Sequence, residues 1–548
     1  MAASTGHWRR RVWARLSRWH LTMGIEAVIV WASVYFAVAG NATFWKAALS
    51  APLDIRRVLS LLALVVAAHG ILLGLLLWPR LWRGVLTILI VVAAVAGHYM
   101  GDYGIYIDAD MVRNVLNTDW REAHELVGWD LALPLAGAMP VLFLVSRIRL
   151  VPHNWRRMVV ARIVLLSAMC LLGTLGVVVS LQAMSAFVRN RREMRYLVTP
   201  ANVIVSLAKV VSEEPPGKAR VQLPIGEDAT RVPTAEAHRP RLLVLVVGET
   251  ARAVDWGLGG YARQTTPALA GRDVVNYPDV RACGSSTEVS LPCMFSPYGR
   301  RDYDEMAIRG HQSVPHVLQR AGVRVLWRDN QSGCKGVCDG LEVEDRHDRR
   351  DPGLCDGDRC YDLILVDGLA AAARRHHGDQ VVVLHMLGNH GPTYAERYPP
   401  EFARWRPACA TSDLGRCQRG QIVNAYDNAL LYTDHVLGET IDALAGMGDY
   451  DTAMLYVSDH GESLGERGLF LHGMPYAIAP DEQLQVPMVA WFSPGWRRAT
   501  GLDMACVRQH ANAAYSHDNL FRTLLGLAGV QTRLYQPALD LYSQCRAH

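Results

Sequence analysis

The sequence lacks a strong excess of either charge: 56 Lys and Arg against 52 Asp and Glu give a net charge of only +4 over 548 residues. Nothing in that balance suggests a nucleic-acid binder. Cysteine is nearly missing from the first half, where Cys170 stands alone, and the other ten of the 11 cysteines all follow position 280. No CxxC knuckle occurs among them, which argues against a zinc–cysteine cluster. They come mostly as close neighbours (Cys283 and Cys293, Cys334 and Cys338, Cys355 and Cys360, Cys409 and Cys417), with Cys506 and Cys545 left over. An even set confined to one part of the chain reads as disulfides, which persist only in an oxidising compartment. Cys170 lies in an apolar run and reads as a small buried hydrophobe.

What is there in abundance is apolar residue, half of the composition, crowded into the first third of a chain too long for one ordinary domain. Five runs approach the ~20 residues that cross ~30 Å of hydrocarbon: Leu21–Gly40, Val58–Trp78, Gly84–Tyr99, Leu126–Val145 and Ile163–Met184. The first has no cleavage site behind it and reads as a retained anchor. Arg9, Arg10, Arg11, Arg15 and Arg18, then Arg80 and Arg83, then Arg147, Arg149, Arg156 and Arg157 fall on one side, which the positive-inside rule makes cytoplasmic. The acidic stretch with Asp102, Asp108, Asp110 and Asp119 falls on the other side, as does everything after the fifth span, where disulfides can form. Between spans three and four, Asn114, Thr118 and Glu122 recur every four residues, on one face of a helix. By spacing alone that row is either a solvated helix face or a grip for a polar head group. A mixed stretch from Arg191 to Pro240, with an apolar helical piece at Ala201–Val211, reads as a linker on or near the membrane.

In the remainder, Leu242–Val247, Val381–Leu384 and Met454–Val457 are continuous apolar runs suited to parallel strands buried on both faces, with Met488–Trp491 a further strand. Helical stretches such as Ile422–Ala445 separate them, so the expected fold is an α/β layer. The first run ends in Gly248-Glu249-Thr250, the second in His385 and then Gly388-Asn389-His390-Gly391-Pro392, the third in Ser458-Asp459-His460-Gly461-Glu462, and His472 follows. Ligands of such sheets bind beyond the carboxyl ends of strands, and carboxylate oxygen with imidazole nitrogen suits Zn²⁺ or Mn²⁺. The loop Cys283–Cys293 offers the hydroxyls of Ser285, Ser286, Thr287 and Ser290. A nearby metal would make one of them a nucleophile, and spacing does not choose among them.

These residues resemble a known family, the membrane phosphoethanolamine–lipid A transferases, which include the mobile colistin-resistance enzymes. The resemblance runs over nearly the whole length, through Val247-Gly-Glu-Thr-Ala-Arg252, Gly260-Tyr-Ala-Arg-Gln-Thr-Thr-Pro267, the Cys283–Cys293 loop with Met294-Phe295-Ser296, Asn389-His-Gly-Pro-Thr-Tyr394 and Ser458-Asp-His-Gly-Glu-Ser463. It implies a five-helix transmembrane domain over 1–190 with an outer amphipathic helix, a bridging linker over 191–238, and a periplasmic α/β domain of the alkaline phosphatase/sulfatase type over 239–548. It implies zinc held by Glu249, Thr287, Asp459 and His460, with Thr287 the nucleophile. His390 and His472 would bind the phosphate of an intermediate or a second zinc. Lys335 and the row Asn114, Thr118 and Glu122 would meet the substrate. The expected protein is a monomeric inner-membrane enzyme that moves phosphoethanolamine from phosphatidylethanolamine to a lipid A phosphate, weakening the hold of cationic peptides. Glu288 departs from the small residue expected beside the nucleophile, and the Cys506/Cys545 pair falls outside the family pattern.

Rival readings are weaker. A sulfatase needs Arg where Met294 stands. A lipoteichoic-acid-type phosphoglycerol transferase fits poorly with ten extracytoplasmic cysteines and the Asn114 row. A core sugar or other glycan as acceptor keeps the same mechanism, and water as acceptor would make the protein a phosphodiesterase. A metal-bearing scaffold would have no use for the hydroxyl loop.

Overall fold

The computed structural model describes residues 20–50, 54–118, 123, 125–152, 154–179, 192–213, 222–231, 239–347, 349–357 and 359–546. The chain forms two compact units, Met1–Val112 with Val127–Val210, and Arg113–Leu126 with Val211–His548.

The first unit is helical: α1 (Ile25–Val38), α2 (Ala42–Ala48), α3 (Ile55–Leu76), α4 (Trp82–Asp102), α5 (Ala109–Asn117, whose last turn belongs to the second unit), α6 (Ala132–Arg147), α7 (Trp155–Val179) and α8 (Ala201–Glu213). Among the described residues, α3, α4, α6 with its preceding turn, and α7 are long and apolar enough to cross a membrane, and α1 with α2 makes a fifth span bent by 54°. The expected first span is thus broken after Val38. The fifth helix starts at Trp155, ahead of the expected Ile163, because Arg162 does not interrupt it. Its guanidinium is buried and donates to the carbonyls of Gly74 and Leu77, the last at 3.0 Å, satisfying acceptors at the end of α3. The remainder of that expected span, from 180 onward, lies outside the described residues. Small residues let α3 and α7 approach closely: a Cβ on Gly176 would stand 3.1 Å from the Ser60 carbonyl. One expectation is corrected here. Cys170 is exposed on α7 rather than buried, since an apolar side chain on a spanning helix has no need of a protein interior.

The second unit is built on a seven-stranded sheet. Its strands are β1 (Arg241–Gly248), β2 (Val275–Tyr277), β3 (Arg324–Asp329), β4 (Glu342–Asp345), β5 (Gln380–His385), β6 (Asp451–Ser458) and β7 (Met488–Phe492), in the order β2-β7-β6-β1-β5-β3-β4. From β6 to β4 all neighbours are parallel, while β7 runs antiparallel to β6 and to β2. The apolar runs read from sequence are the central strands, and both faces are covered. Leu243, Leu245 and Val247 of β1 enter one core and Leu242, Val244 and Val246 the other, as a period of two requires. The long α11 (Arg419–Ala445) packs on the second face with Leu430, Leu437 and Leu444.

The sequence reading passed over β3, whose ends are charged. Arg328 is fully buried there because its guanidinium donates to Leu365 O and Asp367 O, each at 2.8 Å, and pairs with Glu344 at 2.9 Å. All ten late cysteines pair as nearest neighbours: 283–293, 334–338, 355–360, 409–417 and 506–545.

Leu245 sits at 0% exposure in the central strand. Leu245→Ala should cost about 2–5 kcal/mol of stability. It is measured as an earlier denaturant midpoint in the tryptophan fluorescence of the purified full-length protein, and an unchanged midpoint would refute the placement of this residue in the core.

Candidate metal centre and nucleophile

Four side chains from two strand ends and one loop meet at the carboxyl edge of the parallel sheet. Glu249 follows β1, Asp459 and His460 follow β6, and Thr287 opens α9 (Thr287–Met294), the short helix after the Cys283 loop. All four are buried. The Thr287 hydroxyl lies 3.1 and 3.0 Å from the two Glu249 carboxylate oxygens and 3.2 Å from His460 Nε2. Asp459 Oδ2 is 3.4 Å from the same ring nitrogen.

The surrounding backbone fixes this geometry. His460 Nδ1 donates to Gly461 O at 2.8 Å, which leaves the Nε2 lone pair aimed inward. Asp459 Oδ1 accepts the Thr250 and His460 amides at 3.2 and 2.7 Å, which holds its carboxylate plane. To offer that amide, Thr250 adopts φ +53°, a left-handed conformation unusual for threonine. Gly388 must be glycine, because a Cβ there would stand 2.6 Å from Glu249 O.

Asp459 Oδ2 is buried and has no hydrogen-bond donor among the described residues. Burial, and then the charge of Glu249, push the Asp459 carboxyl up to about 7. Burial lowers the affinity of His460 for a proton, but Asp459 and Glu249 outweigh it and raise its pKa to about 10. Burial would raise Glu249, and the His460 hydrogen bond and charge hold it below the usual carboxylate range instead. Two buried acids therefore demand a positive charge between them. Glu249, Asp459 and His460 each turn a ligand atom to within 4.8 Å of the others, a donor set that fits a divalent cation of the zinc type.

The other expected residues fall around this centre. The rings of His460 and His472 lie 4.4 Å apart between centroids, and those of His472 and His390 5.3 Å apart. His472 Nδ1 is 3.3 Å from Glu462 Oε2, which is fully buried. Lys335 is joined to Glu249 through a chain the sequence did not suggest: Lys335 Nζ donates to Ser332 Oγ at 2.9 Å, Ser332 Oγ to Gln331 Oε1 at 2.7 Å, and Gln331 Nε2 to Glu249 Oε2 at 3.0 Å. Gln331 and Ser332 follow β3, so recognising that strand would have pointed to them. Asn114 lies on α5 and Thr118 just past its end, the Thr118 hydroxyl donating to Asn114 O at 2.7 Å. Glu122 lies outside the described residues. Sequence reasoning also missed the His385–Asp329 pair, 2.9 Å apart behind the centre.

Strand order, the position of the centre and its chemistry define an enzyme of the alkaline phosphatase/sulfatase type carried on a membrane-spanning unit. The sequence pattern of the Sulfatase family matches residues 241–530, and that of "Phosphoethanolamine transferase EptA/EptB" matches residues 65–214. The chain is 38% identical over 539 residues to phosphoethanolamine transferase EptA of Escherichia coli K12, covering 96% of this chain and 98% of that one. It is 36% identical to phosphatidylethanolamine transferase Mcr-1 of Escherichia coli, covering 82% and 84%. Among solved structures, the integral membrane lipooligosaccharide phosphoethanolamine transferase A of Neisseria meningitidis superposes with a TM-score of 0.90 at 34% identity, covering 96% of this chain and all of that one. The chain belongs to the phosphoethanolamine transferase family. Its apolar helices and its family place it in the inner membrane of a bacterium, with the C-terminal domain in the periplasm.

Asp459→Asn or His460→Ala should lower zinc affinity by about a hundredfold or more, and Gln331→Leu by about tenfold through Glu249. Zinc retained after dialysis against a graded chelator, measured by elemental analysis, tests both statements. Equal retention by wild type and Asp459→Asn would remove these residues from the centre.

Proposed function

We propose that the protein transfers phosphoethanolamine from phosphatidylethanolamine to a lipid A phosphate through an ester on Thr287, at one zinc ion held by Glu249, Thr287, Asp459 and His460. The observation that carries this reading is a buried threonine hydroxyl within 3.2 Å of a carboxylate and an imidazole brought from separate strand ends. The donor is supported by the name of the Mcr-1 relative, and an acceptor of the lipooligosaccharide class by that of the Neisseria enzyme.

When bound, zinc lowers the pKa of the hydroxyl and offsets charge on the phosphoryl oxygens. Thr287 Oγ1, its proton released to solvent, attacks phosphorus beside the Glu249 carboxylate, which its depressed pKa keeps unprotonated. The bond from phosphorus to the diacylglycerol oxygen breaks. His390 and His472, beside His460, bind the phosphoryl oxygens, and His472 gives the departing oxygen its proton while Glu462 steadies the ring. In the second half an oxygen of the acceptor phosphate attacks the same phosphorus and gives its proton to His472, which restores the imidazolium, and the bond to Thr287 Oγ1 breaks. Asn114, Thr118, Glu122 and Lys335 hold the donor head group. Donor and acceptor share the membrane that anchors the enzyme, which raises their effective concentration.

Expression in a Gram-negative host followed by mass analysis of lipid A tests the reading. Wild type should add one phosphoethanolamine unit to lipid A, and Thr287→Ala should lower transfer on the order of 10³-fold or more and leave no phosphoethanolamine on the protein. Addition to a core sugar alone would change the acceptor, and addition persisting in Thr287→Ala would end the threonine mechanism.

A further inference from the structure

Two buried carboxylates, Glu288 and Glu125, take no part in the chemistry above, yet both reach the stretch that carries Asn114 and Thr118. Glu288, next to the nucleophile, has 0% exposure. Its Oε1 pairs with Arg309 at 2.8 Å and accepts the Asn117 side-chain amide at 3.1 Å. Arg309 lies in α10 (Glu305–Gly310), donates to the Glu288 carbonyl at 2.7 Å and stands 3.3 Å from Glu305. Glu305 in turn pairs with Arg113, whose side chain is 1% exposed. Each acid faces a base, which is the condition for keeping such groups out of water. Arg113 and Asn117 are four residues apart and share one face of α5, so its last turn is held at two points.

Glu125 closes the other end of the same stretch. Its Oε2 accepts from the Thr393 hydroxyl and the Arg397 guanidinium, and its Oε1 lies 3.1 Å from Arg359. Arg397 also donates to His390 O at 2.6 Å. One clasp is therefore anchored on the residue after Thr287, and the other on the loop that carries His390.

We infer that Glu288 and Glu125 are positioning residues that clasp the two ends of the Arg113–Leu126 stretch, holding Asn114 and Thr118 in register with Thr287 and His390. The inference rests on the reaction proposed above. An unclasped polar stretch would have to be ordered each time the donor binds, so its loss weakens donor binding before it touches the chemistry. The glutamate at 288 thus replaces a small residue with an anchor, which accounts for the departure from the family pattern noted in the sequence.

The test uses the purified full-length enzyme in mixed micelles of graded phosphatidylethanolamine content, reading initial transfer rates, with bound zinc measured in parallel. Asn117→Ala and Glu288→Ala should each raise KM for the donor by about tenfold, the loss expected for a hydrogen bond to a charged group. In each, kcat should stay within about threefold and zinc content should match wild type. The double variant should be no worse than the worse single one, because both remove the same link. Glu288→Gln, which keeps an acceptor for Asn117, should recover part of the KM, and Glu125→Gln should raise KM from the other end. Unchanged KM in Asn117→Ala and Glu288→Ala, multiplicative effects in the double variant, or loss of kcat together with zinc would each overturn the clasp. A wild-type enzyme that transfers nothing from phosphatidylethanolamine would instead sink the reaction, so the two failures are distinguishable.

Discussion

Two carboxylates, Glu249 and Asp459, are buried side by side at the ends of adjacent parallel strands, and a good deal of the catalytic unit serves to make that tolerable. Like charges in a dry site repel strongly, so the arrangement persists only with a cation between them. His460 can carry a proton there, and a divalent metal does the same with greater charge. The neighbouring groups serve to aim these ligands: the Gly461 carbonyl sets the His460 tautomer, two backbone amides hold Asp459, and Gln331 holds Glu249. The Thr287 hydroxyl lies in contact with this set.

The same principle of neutralising buried charge recurs away from the centre. Arg328 crosses the edge of the sheet by pairing with Glu344 and two carbonyls. Arg162 sits inside the helical unit by donating to the end of α3. Along Glu288, Arg309, Glu305 and Arg113 acid alternates with base. In each case the charge is retained because its partners are fixed by backbone, and in each case the removal of one partner would leave an uncompensated ion. Such groups stabilise little on balance. What they contribute is a unique geometry, and around Thr287 geometry is what the chemistry requires.

The five disulfides fit the same picture of a unit working outside the cytoplasm. Those at Cys283–Cys293 and Cys334–Cys338 close the two loops that carry Thr287 and Lys335, so both loops are covalently bounded. The sheet beneath them is rigid because both of its faces are covered, and the reactive groups sit on short loops leaving it.

Much of this was legible in the residues alone, because the dominant signals are local. Apolar runs near twenty residues, flanked by arginines on one side, determined the membrane topology, and runs of Leu and Val determined the central strands. The clustering of cysteines in the second half determined the redox compartment. The motifs at strand ends determined that Glu249, Asp459 and His460 meet at one edge of the sheet, since parallel strands with apolar bodies can present polar residues only at their tips. What the tertiary structure decided was whatever depends on charge meeting charge across long separations. The burial of Arg162 and Arg328, the strand β3 that hydropathy passed over, the Gln331 bridge from Lys335 to Glu249, and the pairing of Asn117 and Glu125 with residues 171 and 268 positions away all belong there. A charged residue looks the same in sequence whether water or a partner solvates it, and only the fold supplies the partner.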